Sequence, residues 1–298
     1  MVEIKKKKPS LFGSKKFLET TSNIFVYAFL TILSIIWVIP IFWLVIQSFR
    51  AEPGSVQVNF FPQSYTLQNY INLFDPVALA QTSIRFPQWF LNTLIIATVT
   101  MVISTIMVLL TSYAFSRLRF GARLPMMQLI LILGLFPGFM SMIAVFNILK
   151  LLNLTGNIWG LIFIYSGGAG FGYYIAKGYF DTISKAIDEA AMIDGASRSQ
   201  IFWHIILPLS KPIVIFTALT SFIGPWGDYI FARVILLDNT ESYNVAVGLV
   251  WITQRENITQ YFTTFLAGSV LVALPITLLF VFMQRYYIEG VTGGSIKG

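Results

Sequence analysis

The chain has 298 residues, 56% of them hydrophobic and only 11% charged, with a mean hydropathy of +0.74. Soluble domains carry roughly 25% charged residues, so this deficit excludes an ordinary soluble protein and points to a polytopic membrane chain. The lack of cysteine excludes disulfides and thiolate metal sites, a single histidine (His204) removes most His-based chemistry, and the net charge of +7 must be located before it is assigned to a partner.

The N-terminus, "MVEIKKKKPSLFGSKKF", resembles the basic front of a signal peptide. The apolar segment that follows, Asn23–Phe49, is longer than a signal-peptide core of about 7–15 residues and has no small-x-small cleavage site after it. It is therefore expected to remain as a first span. Five further segments are long enough to cross roughly 30 Å of hydrocarbon at about 1.5 Å per residue: Trp89–Phe115, Leu124–Leu149, Ile158–Phe180, Leu207–Ile230 and Phe262–Tyr287. The expected fold is an all-α polytopic membrane protein of six transmembrane helices. A basic segment (1–22) precedes the membrane domain (23–288), and a short tail (289–298) follows it. Pro40, Pro137–Gly138, Pro225 and Pro275 fall inside spans, where neighbouring helices or a wet cavity must satisfy the freed backbone groups.

Six spans place both termini on one side. With the N-terminus inside, fifteen of the 20 Lys and Arg residues fall on inner segments. Only Arg50, Arg85, Lys150, Arg233 and Arg255 fall outside, a positive-inside pattern. The excess charge is then topology, and no basic–aromatic platform for nucleic acid accompanies it.

Between the fourth and fifth spans lies a polar island, "DEAAMIDGASRSQIFWHIILPLSKP", Asp188–Pro212. It reads as two short helices. Asp188 and Glu189 sit early in the first, where acids suit the helix dipole. Ala186, Ala190 and Ala191 favour helix at little bulk, and Gly195 stands where a left-handed residue would end it. "SRSQ" is a capping-box pattern opening the second helix, which Pro208 is expected to halt or kink into the fifth span. Helix chemistry leaves two uses open: an amphipathic hairpin on the membrane surface, held by Phe202 and Trp203, or a knob docking into another subunit.

The segment "EAAMIDGASRSQIFWHIILPLSKP" resembles the EAA loop of ABC-importer permeases. Glu189, Ala190, Ala191 and Gly195 match its first half, and Ile205, Leu207 and Pro208 its second. Asp194 before the glycine is similar to the sugar-importer version. "PLSKPIVIFTALTSFI", "SYNVAVGL" and the C-terminal "FLAGSVLVALPITLLFVFMQRYYIEGVTGGSIKG" extend the resemblance to the MalG-type, maltose-transporting branch of the carbohydrate-uptake family.

That resemblance implies a multi-pass subunit of a bacterial or archaeal cytoplasmic membrane with both termini cytoplasmic. It implies a second homologous permease, two copies of an ATPase subunit and an extracytoplasmic sugar-binding protein as partners. The substrate would be a sugar, maltose or maltodextrin first. Glu189, Ala190, Ala191, Asp194 and Gly195 would form the surface that docks on the ATPase. The tail would reach the ATPase subunits, with Gly293, Gly294 and Gly298 giving it reach without bulk. ATP and Mg would bind the partner: the chain has no G-x-x-x-x-G-K-[ST], so neither enzymatic activity nor a cofactor of its own is expected.

"SGGAGFG" (Ser166–Gly172) matches neither phosphate-loop nor dinucleotide spacing and reads as helix packing or a break within a span. Asp228 in "GPWGDYI" is either an acid at the outer interface or a group facing the translocation cavity. It has no second acid or histidine at similar depth with which to relay protons. His204 reads as an interfacial packing residue. The stretch Arg233–Tyr261 is expected to be an outer solvated loop that the family would use to meet its binding protein. A permease for another oligosaccharide or for glycerol phosphate remains an alternative. An ion-coupled secondary transporter lacks the expected intramembrane acids and paired broken helices, and a membrane enzyme lacks a catalytic cluster.

Overall fold

The computed structural model describes residues 15–54, 59–82, 84–135, 138–168, 170–254 and 257–292. In order they form α1 (Lys15–Ser48), α2 (Gln68–Asn72), α3 (Pro76–Gln81), α4 (Phe86–Arg117), α5 (Arg123–Leu135), α6 (Gly138–Leu151), α7 (Ile158–Gly167) and α8 (Gly170–Thr182). There follow α9 (Lys185–Ile193), α10 (Arg198–Ile201), a π-helical turn (Phe202–Ile206) and α11 (Leu207–Leu209). The last are α12 (Lys211–Gly227), α13 (Ile230–Leu236), α14 (Val245–Ile252) and α15 (Ile258–Thr292). The described residues form no named strand.

Three helices are long and apolar enough to cross a bilayer unbroken: Asn23–Ser48 of α1, Phe86–Arg117, and Ile258–Gln284 of α15. Pro40 and Pro275 are accommodated inside α1 and α15 without ending them. The number rises to six only if three bent pairs each count as one span. The expected span over Leu124–Leu149 is two arms, α5 and α6, bent by 107°, and the expected span Ile158–Phe180 is α7 and α8, bent by 40° at the glycine-rich stretch where a break was one reading. Pro137, expected to break the third span, lies outside the described residues.

The expected fifth span, Leu207–Ile230, is also corrected. The helical run Arg198–Leu209 meets Lys211–Gly227 at 83°. Pro208 does not stop the chain, because the π turn before it absorbs its ring: the Leu207 N–H reaches five residues back to Phe202 O. The corner falls at buried Ser210 (φ −102°, ψ 20°). There Pro212, lacking an N–H, cannot bond the Pro208 carbonyl and the helical ladder is interrupted.

α4 is the central post, packed against α7, α8 and α12, while α12 also packs on α15 and α1 lies against α15. The residues α4 buries explain how: Thr93, Ala97, Thr100, Ser104, Val108, Ser112 and Ser116 recur every three or four positions. Small side chains along one face let helix backbones approach closely in lipid. By contrast, α1 shows almost no burial between Asn23 and Phe42, as a lipid-facing helix would.

Two cores bracket the bundle. The larger gathers Phe86, Trp89, Leu161, Ile235, Val245 and Leu249 at one end. The smaller gathers Tyr113, Phe180, Ala191, Ile201, Phe202 and Ile213 at the other. The large core overturns the solvated-loop expectation for Arg233–Tyr261: Tyr243, Val245, Val247 and Ile252 are all buried, and α14 is folded into the bundle. Polar groups on α4 hold it there. Asn92 Nδ2 donates to Glu241 O (2.7 Å) and Tyr243 O (3.0 Å), Trp89 Nε1 to Thr240 O (2.9 Å), and Val245 N to Thr93 Oγ1 (2.7 Å).

Gly248 permits the contact, since a Cβ there would overlap the Trp89 ring. That ring is pinned by its hydrogen bond to Thr240 and cannot swing aside. Gly248→Ala is therefore expected to destabilise the chain by about 1–3 kcal/mol through overpacking, read as a lower thermal midpoint in detergent. An unchanged midpoint would contradict this packing.

Candidate functional site

The polar island folds as the helix–glycine–helix that its pattern describes. Ser184 caps α9, accepting from Ala186 N. Gly195 ends α9 at φ +85°, a left-handed conformation that favours glycine. The Ala196 N–H reaches Ala191 O (2.9 Å) and the Gly195 N–H reaches Met192 O (3.1 Å). These two bonds make a Schellman motif, so the turn satisfies the helix's orphan carbonyls. Ser197 and Gln200 close the capping box: Ser197 N donates to Gln200 Oε1 (2.8 Å) and Gln200 N to Ser197 Oγ (3.3 Å).

The hairpin has an inner and an outer face. Asp188 and Ala191, three residues apart, point into the smaller core. Ala186, Ala190 and Ile193, at i, i+4 and i+7, share the opposite face. Ile193 is 87% exposed, and Glu189, Met192 and Asp194 are exposed beside it. Among the residues expected on a docking surface, Glu189, Ala190, Asp194 and Gly195 are indeed exposed, but Ala191 is only 8% exposed and packs within the chain. The cause is helix geometry: Ala191 stands three residues after the buried Asp188 and shares its inward face, about 100° round the axis from Ala190. Ile205 and Leu207 are half-buried against the same core, and Pro208 is exposed. Phe202 is buried against Tyr113 (ring centroids 4.8 Å apart), whereas Trp203 is half-exposed. His204 is exposed, with Nδ1 3.2 Å from Gln200 O. Gly293, Gly294 and Gly298 lie outside the described residues.

A buried ion pair ties the hairpin to the bundle, a link the sequence reading missed. Arg117 Nε, at the end of α4, lies 2.9 Å from Asp188 Oδ2, with both side chains nearly inaccessible. Arg117 Nη2 also donates to Ile183 O (2.8 Å) just before α9. Next to it, Ser116 Oγ donates to Asp181 Oδ1 (2.6 Å), whose other oxygen pairs with Lys177. Burial pushes the Asp188 carboxyl above the ordinary carboxylate value; Arg117 opposes this and the neighbouring Glu189 adds to it.

Toward the larger core, α4, α6, α7, α12 and α13 enclose an open cavity of about 790 Å³. Ser104, Ser141, Tyr165, Thr220, Ser221 and Asp228 are polar residues of its lining, and Thr100 lines it with its hydroxyl buried. Ser221 Oγ donates to Ser104 Oγ across the α4–α12 contact (3.3 Å). Asp228 stands on this wall. Its Oδ2 accepts from Tyr165 OH (2.6 Å) and its Oδ1 from Phe231 N (3.0 Å), while Asn244 Nδ2 holds its main-chain carbonyl (2.8 Å). Gly168 and Gly172, from the glycine-rich stretch, also face the cavity. α4 and α12 each run from the hairpin end to this wall, and Ser104 and Arg117 are roughly 20 Å apart along α4. Among the described residues, no group of His, Cys, Asp and Glu is placed to hold a metal ion.

A helical bundle with membrane-length apolar helices, an open and largely apolar cavity bearing a few polar groups, and a hairpin at one end suits a membrane transport subunit. Residues 113–291 match the family described as "Binding-protein-dependent transport system inner membrane component", and the chain belongs to that family. It is 38% identical over 276 residues to the maltodextrin transport system permease protein MalD of Streptococcus pneumoniae, covering 91% of this chain and 94% of that protein. It is 36% identical over 276 residues to the galactooligosaccharides transport system permease protein GanQ of Bacillus subtilis, covering 92% and 95% respectively. A crystal structure of a bacterial ABC transporter importing the acidic polysaccharide alginate contains a chain with the same fold (TM-score 0.75, 23% identity, 93% of this chain and 100% of that one).

Proposed function

We propose that this chain is a membrane-spanning subunit of an ABC importer for an oligosaccharide, with malto-oligosaccharides first among the candidates. In this reading the hairpin end is cytoplasmic, as the positive-inside charge distribution implies, and so are both termini. The basic N-terminal segment and the C-terminal tail then flank a single membrane domain in a bacterial or archaeal cytoplasmic membrane. The outer face of α9 docks on a partner ATPase that binds ATP and Mg. A second homologous permease closes the other side of the cavity, and an extracytoplasmic binding protein delivers the sugar.

The observation that carries the reading is the direct continuity of hairpin and cavity. An exposed apolar face rimmed by Glu189 and Asp194, of the kind that marks protein contact, is clamped to α4 and α12, whose other halves line the cavity. Movement of a docked partner is thereby transmitted to the cavity wall as rigid-body motion.

Importers of maltodextrin and of galacto-oligosaccharide are both represented among the relatives, so the substrate is decided by titration. The chain is reconstituted with its partner permease, ATPase and binding protein in proteoliposomes. Maltotriose, a β-galactotriose and glycerol 3-phosphate are then compared by stimulated ATP hydrolysis and uptake. Maltotriose is expected to stimulate both. Stimulation by galactotriose alone transfers the assignment to that sugar, and uptake driven by an ion gradient without ATP would overturn the importer reading.

A further inference from the structure

One flank of the hairpin faces neither the core nor the proposed ATPase. Lys185, Glu189 and Met192, at i, i+4 and i+7, lie about 100° round α9 from the outer face of Ala186, Ala190 and Ile193. With the Leu118–Phe120 turn between α4 and α5 they enclose an open groove of about 640 Å³. Its frame is fixed. The Arg117–Asp188 pair ties the two walls together, and Phe115 stacks on Phe120 (ring centroids 6.1 Å apart) to hold the turn. Arg119, Lys185 and Arg198 line the groove, are exposed, and take part in no ion pair among the described residues. Asp188 is paired with Arg117, so among the described lining residues Glu189 is the one acid left against three cations. Leu118, Phe120 and Met192 set apolar surface beside them.

Depth points to the occupant. α4 has 32 residues and is therefore about 48 Å long, against roughly 30 Å of hydrocarbon and roughly 40–45 Å with the headgroups. Its Arg117 end thus reaches the layer of lipid phosphates. α5, which continues the turn, buries none of its residues within the chain, so the groove opens away from the bundle. We infer that this groove binds the headgroup of an anionic phospholipid. Arg119, Lys185 and Arg198 hold the phosphodiester, the arginines through paired N–H donors. Leu118, Phe120 and Met192 lie against the glycerol and the first methylenes. Basic pockets at the inner ends of membrane helices suit such headgroups. A zwitterionic headgroup brings its own cation into a groove already rich in them and fits less well. A lipid seated here bridges the α4–α5 turn and α9.

The test uses neither sugar nor ATP, so its failure is distinct from a failure of the importer reading. The complete complex is purified in an uncharged detergent, and binding of phosphatidylglycerol and of phosphatidylcholine to this chain is compared by native mass spectrometry. The wild type is expected to retain phosphatidylglycerol in preference. Arg119→Gln, Lys185→Gln and Arg198→Gln are each expected to lower its affinity about fivefold, the effect of one cation beside anionic lipid, and the triple variant about a hundredfold. The three side chains are exposed and unpaired, so the thermal midpoint in detergent is expected to stay at the wild-type value. Arg123→Gln and Lys211→Gln remove cations outside the groove and should leave the affinity unchanged. Equal losses in these two variants, or equal binding of both lipids, overturn the site. Inorganic phosphate bound as tightly as the lipid assigns the three cations to free phosphate and overturns the lipid occupant. Loss of the ATPase from the triple variant, with phosphatidylglycerol binding intact, gives the groove to that subunit and overturns the inference likewise.

Discussion

Asp188→Asn is expected to destabilise the hairpin by about 3 kcal/mol, because it leaves the Arg117 guanidinium buried without a counter-charge. The measurement is hydrogen exchange of the α9–α10 amides in the purified complex, which should accelerate while those of α4 and α14 do not. Arg117→Met is expected to be milder. Asp188 can escape an unpaired charge by taking up a proton, and its carboxyl is already raised by burial; arginine has no such escape. The double variant Arg117→Met/Asp188→Leu should recover most of the stability, as buried ion pairs replaced by packed apolar groups commonly do. Failure of the double variant to recover would mean that the pair orients the hairpin in a way that packing cannot replace.

The pH dependence follows from the direction of the shift. A carboxyl raised in the folded chain binds more protons there than in the unfolded chain, so its contribution to stability falls as pH rises. The fall occupies the window from the ordinary carboxylate value of 3.8 up to the raised value in the fold. Removing Arg117 takes away the group that opposes the shift, so Arg117→Met should extend that window upward. Asp188→Asn should abolish this component. A hairpin whose exchange rates show the same pH profile in the wild type and in Asp188→Asn would contradict the burial argument.

Local grammar was legible in the sequence where local chemistry decides. The left-handed Gly195, the Ser197–Gln200 box and the acid-fronted α9 depend on residues within four or five positions, and the chain folds there as its pattern reads. Contacts across long separations were not legible. Arg117 and Asp188 each had an adequate local explanation, as an inner-side charge and a helix-dipole acid, and nothing in either segment names the other. α14 escaped for a different reason: eight residues span only about 12 Å, too short for any count of membrane spans. The signal that marks it was the polar residues Asn92, Thr93 and Asn244 inside or beside apolar runs, whose side chains serve the backbone of that segment, Asn244 by accepting from Val247 N. Proline inside a span was read correctly, but the site of the turn into the fifth span was not. Pro40 and Pro275 pass through helices, Pro208 is absorbed by a π turn, and the corner sits at Ser210, where Pro212 withholds the next bond.

The inward turn of Ala191 changes which substitution tests docking. Ala191→Arg would force a long cation into the core beside Ile201 and Phe202, so loss of transport in that variant would report a broken hairpin as readily as a lost partner. Ala190→Arg places the same side chain on the outer face, between Ala186 and Ile193, where the chain itself leaves space. If that face seats an ATPase, the central position should behave as an interface hot spot, costing about 2–4 kcal/mol of docking free energy, roughly 30- to 1000-fold in affinity. The ATPase should then dissociate from the complex during purification and sugar uptake should fall in proportion, while the thermal midpoint of the permease chain stays at the wild-type value. Glu189→Ala, at the edge of the same face, should cost far less, since a rim charge mainly steers association. Retention of the ATPase and wild-type uptake by Ala190→Arg would remove α9 as the docking element. It would leave the Arg117–Asp188 clamp as a feature of the fold alone.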